Sequence, residues 1–255
     1  MEVSVDDLPD LMRGRPTEER ILHLKDGRAL FGHAIAPQTA PVPSRDRARA
    51  KLGALAGIAG PDPVVERLAH KAFRLAQAQV PVTILGETGS GKEYLARAMH
   101  VSGSGGRGYH ALRCAGLHPD AVRALIEATP GTLFLRGVED LSAGAQEALL
   151  WLLDLREDLR VISSADHRFD AQTTVLRTDL FFRLSGAVLS LPALRLRSDF
   201  DWLLERLLRR RAPEDMRLTP AARIDLAGRE WPGNIRELIH ALDAAVAMAD
   251  GPVID

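Results

Sequence analysis

The sequence predicts an α/β fold: a parallel sheet covered by helices on both faces, followed by a small all-α unit. Three observations carry this expectation. Short apolar runs alternate with helically periodic segments between residues 82 and 191. A glycine-rich turn ending in lysine joins the first of those runs to the first of those helices. From about Ala193 the strand-like runs stop and only helical periodicity continues. Strands alternating with helices are joined by crossovers, which leave helices on both faces of a parallel sheet.

The elements follow in order. Ile21–Leu24 and Arg28–Ile35 flank the turn Lys25-Asp26-Gly27 and read as a hairpin. Three prolines in residues 37–44 mark a linker. Arg45–Leu55 reads as a short helix. Pro63, after the turn at Pro61-Asp62, starts a helix over Val64–Gln79. Strands are expected at Val82–Leu85, His110–Cys114, Thr132–Leu135, Arg160–Ser163 and Ala187–Leu191. Helices are expected at Glu93–His100, Pro119–Ala128 and Ala143–Leu155. Three more close the chain: Asp199–Arg211, Thr219–Arg229 and Gly233–Asp250. The expected organisation is an extension and linker over 1–55, an α/β unit over 56–192 and a helical unit over 193–255.

Composition narrows the function. Hydrophobic residues make up 46% of the 255, enough for a sizeable core. A formal net charge of −1 gives no global basic field for nucleic acid. The sole cysteine, Cys114, excludes an internal disulfide and suits a reducing cytoplasm. The acidic start MEVSVDDLPDLMRGR does not read as a signal peptide, and apolar stretches are too short for a membrane span. His100, His110, His118 and His167 have no metal-ligand spacing and read as ordinary residues. The arginines of Arg206–Arg211 read as a solvated helix face rather than a surface for an acidic partner.

The chemistry begins after Val82–Leu85. There Gly86, Glu87, Thr88, Gly89, Ser90, Gly91, Lys92 and Glu93 give the spacing GxxxxGK, between a strand and a helix. The glycines let successive N–H groups turn towards one anion, and the helix start adds its positive end. Lys92 supplies a cation for the outer phosphates of ATP or ADP. The next position is Glu93, where the general motif has Ser or Thr to contact magnesium.

That departure, with the segments that follow, resembles the central domain of bacterial sigma-54 activators. GETGSGKE is similar to their GESGTGKE. GTLFL at Gly131–Leu135, RTDLFFRL at Arg177–Leu184, LPALRLR at Leu191–Arg197 and WPGNIREL at Trp231–Leu238 resemble later motifs in the same order, and ADG at 249–251 resembles the domain's end. LAGIAGPDP, upstream of the loop, is most similar to the acetoin-regulator branch. The resemblance implies an AAA+ P-loop NTPase with an α-helical lid. It implies that Arg177 and Arg183 are arginine fingers reaching a neighbouring subunit's nucleotide, and that Arg236 is the lid arginine contacting the nucleotide of its own subunit.

The departures matter as much. The family follows GTLFL with Asp and Glu, one for magnesium and one for water; here Arg136 and Gly137 stand there. Glu139 and Asp140 come too late to reach the same point if the strand simply ends. The sensor segment AATN is replaced by Ser163-Ser164-Ala165-Asp166. Only 16 residues separate Cys114 from Gly131, where the family carries its GAFTGA sigma-contact loop. A helix-turn-helix after the domain is not found. The expectation is a nucleotide-binding regulatory or assembly subunit, deficient in hydrolysis. It would partner itself, an intact AAA+ paralogue or the transcription machinery, without direct DNA binding. Magnesium is implied beside the nucleotide, although its usual carboxylate is missing. The alternatives are an active ATPase using displaced carboxylates (Glu139, Asp140 or Asp166) and a non-catalytic scaffold.

Overall fold

Near the N-terminus two short strands, β1 (Ile21–His23) and β2 (Ala29–Phe31), pair antiparallel with Ile21 opposite Phe31. This is the expected hairpin. The computed structural model describes these two strands and residues 52–104, 106–170 and 175–255. The hairpin's turn lies outside the described residues, as does most of the helix expected at Arg45–Leu55. What is described of that helix leads into a 3-10 turn at Gly53–Gly57. The hairpin belongs to a unit spanning Met1–Ser44, and everything below belongs to a second, Arg45–Asp255.

The second unit opens with α1 (Pro63–Ala78), which has Pro63 in its first turn. Asp62 Oδ1 accepts hydrogen bonds from the amides of Val64 at 2.7 Å and Val65 at 3.0 Å. Its Oδ2 accepts from the amide of Ser198 at 2.8 Å and its hydroxyl at 2.9 Å. One carboxylate thus caps a helix and fastens it to the chain that enters the C-terminal helices. Burial alone raises the Asp62 pKa, but the bonds from Ser198, Val65 and Val64 outweigh it and hold the group below its usual value.

Five parallel strands form the central sheet: β3 (Val82–Leu85), β4 (Gly108–Arg113), β5 (Gly131–Arg136), β6 (Leu159–Ala165) and β7 (Ala187–Ser190). Their spatial order is β4-β5-β6-β3-β7. Helices α2 (Lys92–Ser104), α3 (Pro119–Arg123), α4 (Ala143–Leu155) and α5 (Thr178–Leu184) connect them. The apolar runs of β3, β5 and β6 are buried on both sides. Leu133, Leu135 and Val161 join one core with α4, whereas Phe134 and Ile162 join another with α1 and α2. Alternation of side chains along a strand divides one apolar run between two cores. β3 lies between β6 and β7, so the chain leaves it in one direction for β4 and later returns on its other side. The ends of strands at such a reversal are where open α/β sheets hold ligands.

Three helices follow, α6 (Phe200–Arg211), α7 (Pro220–Ala227) and α8 (Asn234–Met248), around their own core of Leu204, Leu207, Trp231, Leu238 and Leu242. The expectation that strands cease after Ala193 is corrected by one detail. β8 (Arg217–Leu218) pairs in parallel with β9 (Val253–Ile254), burying Leu218 and Ile254 in that core. Two-residue strands leave no periodicity to read. The helix expected over Pro119–Ala128 also divides, because Ala124–Glu127 tightens to a 3-10 turn. Arg156 closes that turn, donating to the carbonyls of Leu125, Ile126 and Ala128 at 2.7–2.9 Å while Asp158 holds its other edge. Among the described residues no helix is long and apolar enough to cross a membrane.

Asp62→Ala removes the α1 cap and the Ser198 tether together. Stability should fall by about 2 kcal/mol, the upper end for losing an N-cap, measured by urea unfolding.

Candidate nucleotide site

β3 runs into the glycine-rich loop, and the loop into α2. Gly89 and Gly91 have φ of +77° and +101°, which side-chain-bearing residues rarely adopt. Gly89 has a second constraint. A Cβ there would lie 2.0 Å from the carbonyl oxygen of Gly233, so the loop touches the start of α8 backbone to backbone. The amide of Arg236 donates to the Gly89 carbonyl at 3.3 Å, in the same contact.

Between the loop, the ends of β4–β6 and the helices α6 and α8 lies a cavity of about 700 Å³, within the range of small-ligand sites. Thr88, Gly89, Ser90, Gly91, Lys92 and Glu93 line it from the loop side, and Arg236 from α8. Ile58, Leu95, Leu203, Leu207 and Ile239 give it an apolar part. Lys92 Nζ donates to the carbonyls of Gly86 at 2.5 Å and Glu87 at 3.0 Å. Burial lowers the Lys92 pKa, opposed by the nearby charges of Glu139 and Asp166. The Ser90 hydroxyl is buried with no hydrogen-bond partner.

Gly86 and Glu87, expected with the loop, do not line the cavity. The Glu87 carboxylate is held by the helical unit instead: Arg195 donates to both its oxygens at 2.7 and 2.9 Å, and Asn234 Nδ2 to one of them at 3.1 Å. Arg195 and Asn234 hold its pKa down at about 2. Fully buried Asn234 also donates to the Thr88 carbonyl at 3.0 Å, and its Oδ1 accepts from the Leu194 amide at 2.8 Å. Sequence reasoning missed this junction. WPGN was legible as a helix start, but nothing local tells that its asparagine serves a loop 146 residues away.

At the end of β5, Arg136 and Gly137 both line the cavity. Arg113 is the register partner of Arg136 on β4 and lines it too. Arg136 Nη1 lies 3.7 Å from the carboxylate of Glu93. Gly137, at φ +74°, turns the chain into a 3-10 turn at Val138–Asp140. That turn brings Glu139 and Asp140 to the cavity wall. Glu139 Oε1 accepts from the Asp166 amide at 3.0 Å, and Oε2 is buried without a hydrogen-bond partner. Asp166 does not line the cavity; its carboxylate accepts from Arg168.

Arg177 and Arg183 stand apart. They flank and end α5, pair with Asp179 and Asp154, and do not line the cavity of their own chain. The Arg206–Arg211 run is corrected: Arg206, Arg210 and Arg211 line the cavity, and only Arg209 turns away to Glu205. Of the histidines, His100 is buried, its Nδ1 2.9 Å from the Thr132 hydroxyl. Among the described residues no cluster of three His, Cys, Asp or Glu has the geometry to hold a metal ion. Burial pushes the Cys114 thiol up to about 12.

Residues 60–194 match the sigma-54 interaction domain, and residues 195–255 match an AAA+ ATPase lid domain. The chain belongs to the sigma-54 interaction domain family. It is 34% identical to the acetoin catabolism regulatory protein of Cupriavidus necator, over 98% of the chain and 44% of that protein. It is 31% identical to the transcriptional regulatory protein ZraR of Salmonella typhimurium, over 78% of the chain and 54% of the relative. The chain thus spans about half the length of the curated relatives it matches. NtrX from Brucella abortus, solved in complex with ADP, superposes with a TM-score of 0.67 at 26% identity, over 81% of this chain and 54% of that one. Thermotoga maritima RuvB shares the fold at a TM-score of 0.59 and 18% identity, over 80% of this chain and 70% of that one. The five-strand parallel sheet with its helical lid is therefore the AAA+ P-loop NTPase fold of sigma-54 activators.

Glu87 gives the junction a pH signature. Its folded pKa of about 2 lies below the ordinary 4.5, so the stability it supplies is present above pH 4.5 and is lost as pH falls towards 2. The stability difference between wild type and Glu87→Gln should be constant near neutrality and shrink through that window, as read by urea unfolding at stepped pH.

Proposed function

We propose that this chain is an ATP- or ADP-binding domain of a sigma-54-activator-like transcriptional regulator. It is restricted in hydrolysis and works as a nucleotide-dependent regulatory or assembly subunit. The observation that carries this reading is the end of β5, where a guanidinium and a bare glycine border the cavity. Arg136 cannot accept a proton from water, because its pKa stays above about 12. Gly137 has no side chain. Losing a positioned general base costs about 10²–10⁴ in rate.

Binding keeps its parts. The glycine-rich loop with the unpartnered Ser90 hydroxyl, Lys92 and Arg236 lines the cavity, and Gly86 sets the strand-to-loop turn. The apolar lining beyond them suits a nucleobase. Arg177 and Arg183, turned away from their own cavity, would serve the nucleotide of a second subunit, either this chain again or an intact AAA+ paralogue. Sigma-54 contact is not expected of this chain, as its sequence contains no GAFTGA. The match to the acetoin regulator runs over 291 residues against 255 in the chain, in keeping with a relative that carries extra residues. The net charge of −1 gives no ground for direct DNA binding.

A second reading has one observation in its favour. Glu139 is held by one oxygen and keeps the other free in the cavity wall, as a displaced general base would be. Phosphate release separates the two. Wild type should be indistinguishable from Lys92→Ala; turnover well above that control, abolished by Glu139→Gln, would establish the displaced carboxylate instead. In a binding titration Lys92→Ala should weaken ATP or ADP at least tenfold, about 1.4 kcal/mol.

If the arginine fingers serve a second subunit, ATP should favour self-association or mixing with a paralogue more than ADP does. Arg183→Ala should abolish that difference. Light scattering with each nucleotide checks it, and a monomer under every condition would favour a scaffold.

A further inference from the structure

Magnesium is the cation this fold implies beside a nucleotide. It takes hard oxygen donors in octahedral geometry, held by one or two carboxylates and the phosphates themselves. The side chains here do not fit that role. The strand end that would present a carboxylate carries Arg136, which reaches across to Glu93 at 3.7 Å. Glu93 is also bonded by Arg97 at 3.0 Å, so two guanidinium groups already neutralise it. Glu139 keeps one free oxygen, but Lys92 is the cation it faces. Eight cationic side chains and three carboxylates line the cavity as a whole. A divalent cation entering this site meets repulsion, and a free polyanion meets the opposite.

The guanidinium groups are also placed for phosphate. Arg113 and Arg136 are register partners on neighbouring parallel strands, so they leave the sheet on the same face. Adjacent strands lie about 4.8 Å apart, a spacing that lets two guanidinium groups address one polyphosphate. Each presents a planar fork suited to two phosphate oxygens. Arg136 is half-exposed at the cavity edge and is not locked into any buried bond.

We infer that the site takes nucleotide as the free polyanion, with Arg136 and Arg113 occupying the electrostatic place of magnesium. The inference rests on the nucleotide-binding reading above and makes it specific. Lys92 and Arg236 hold the phosphates from the loop and the lid, and the two strand-end arginines close the third side. Magnesium chelated by ATP removes charge that these groups would otherwise meet, so it competes with the protein for the same oxygens.

The test is a calorimetric titration of the whole chain with ATP, in excess magnesium and in EDTA. The expected result is a Kd in EDTA equal to or tighter than the Kd in magnesium. Arg113→Ala with Arg136→Ala should weaken binding in EDTA at least tenfold. Arg136→Asp, which restores a carboxylate at the strand end, should make binding magnesium-dependent. Arg136→Gln serves in its place if that variant fails to give a cooperative thermal transition, and should weaken the EDTA titration alone. A wild-type chain that binds in magnesium and loses tenfold or more in EDTA would overturn this inference and leave nucleotide binding standing. No binding under either condition would overturn both.

Discussion

The arrangement depends on one close contact, the backbone of Gly89 against the backbone of Gly233. No side chain fits between them, so the phosphate loop and the start of α8 are set at van der Waals distance. Everything around that contact fixes it further. Glu87 leaves the loop to grip Arg195 and Asn234, and Asn234 returns a bond to Thr88. The cavity is the space left beside this joint. Its floor and its roof are therefore parts of one rigid connection. Loop and lid are joined by short hydrogen bonds shared among few residues.

The second organising feature is the charge at the end of β5, where Arg136 presents a cation and Gly137 no side chain. That cation is not isolated, since Arg113 stands in register with Arg136 and three arginines of α6 line the same space. Acid has not vanished from the wall, because Gly137 turns the chain so that Glu139 and Asp140 re-enter it. The site is thus rich in cations, with three carboxylates, Glu93, Glu139 and Asp140, in its wall.

The sequence by itself determined the order of elements, the glycine-rich loop and the lid that follows. These are written in local patterns: alternating apolar runs, glycines where φ must be positive, a lysine at the head of a helix. It also determined that Arg136 and Gly137 follow GTLFL, because a residue's identity needs no structure. Three things were decided only by the tertiary fold. Glu87 reads as a loop residue, yet its side chain belongs to the lid, since its partners lie over a hundred residues away. The arginines of α6 read as a solvated face, but the lid's packing places Arg206, Arg210 and Arg211 along the cavity. Glu139 enters the cavity wall because one glycine in the left-handed region bends the chain there. In each case a side chain's direction was set by long-range packing or a single backbone turn, and neither leaves a periodic trace along the chain.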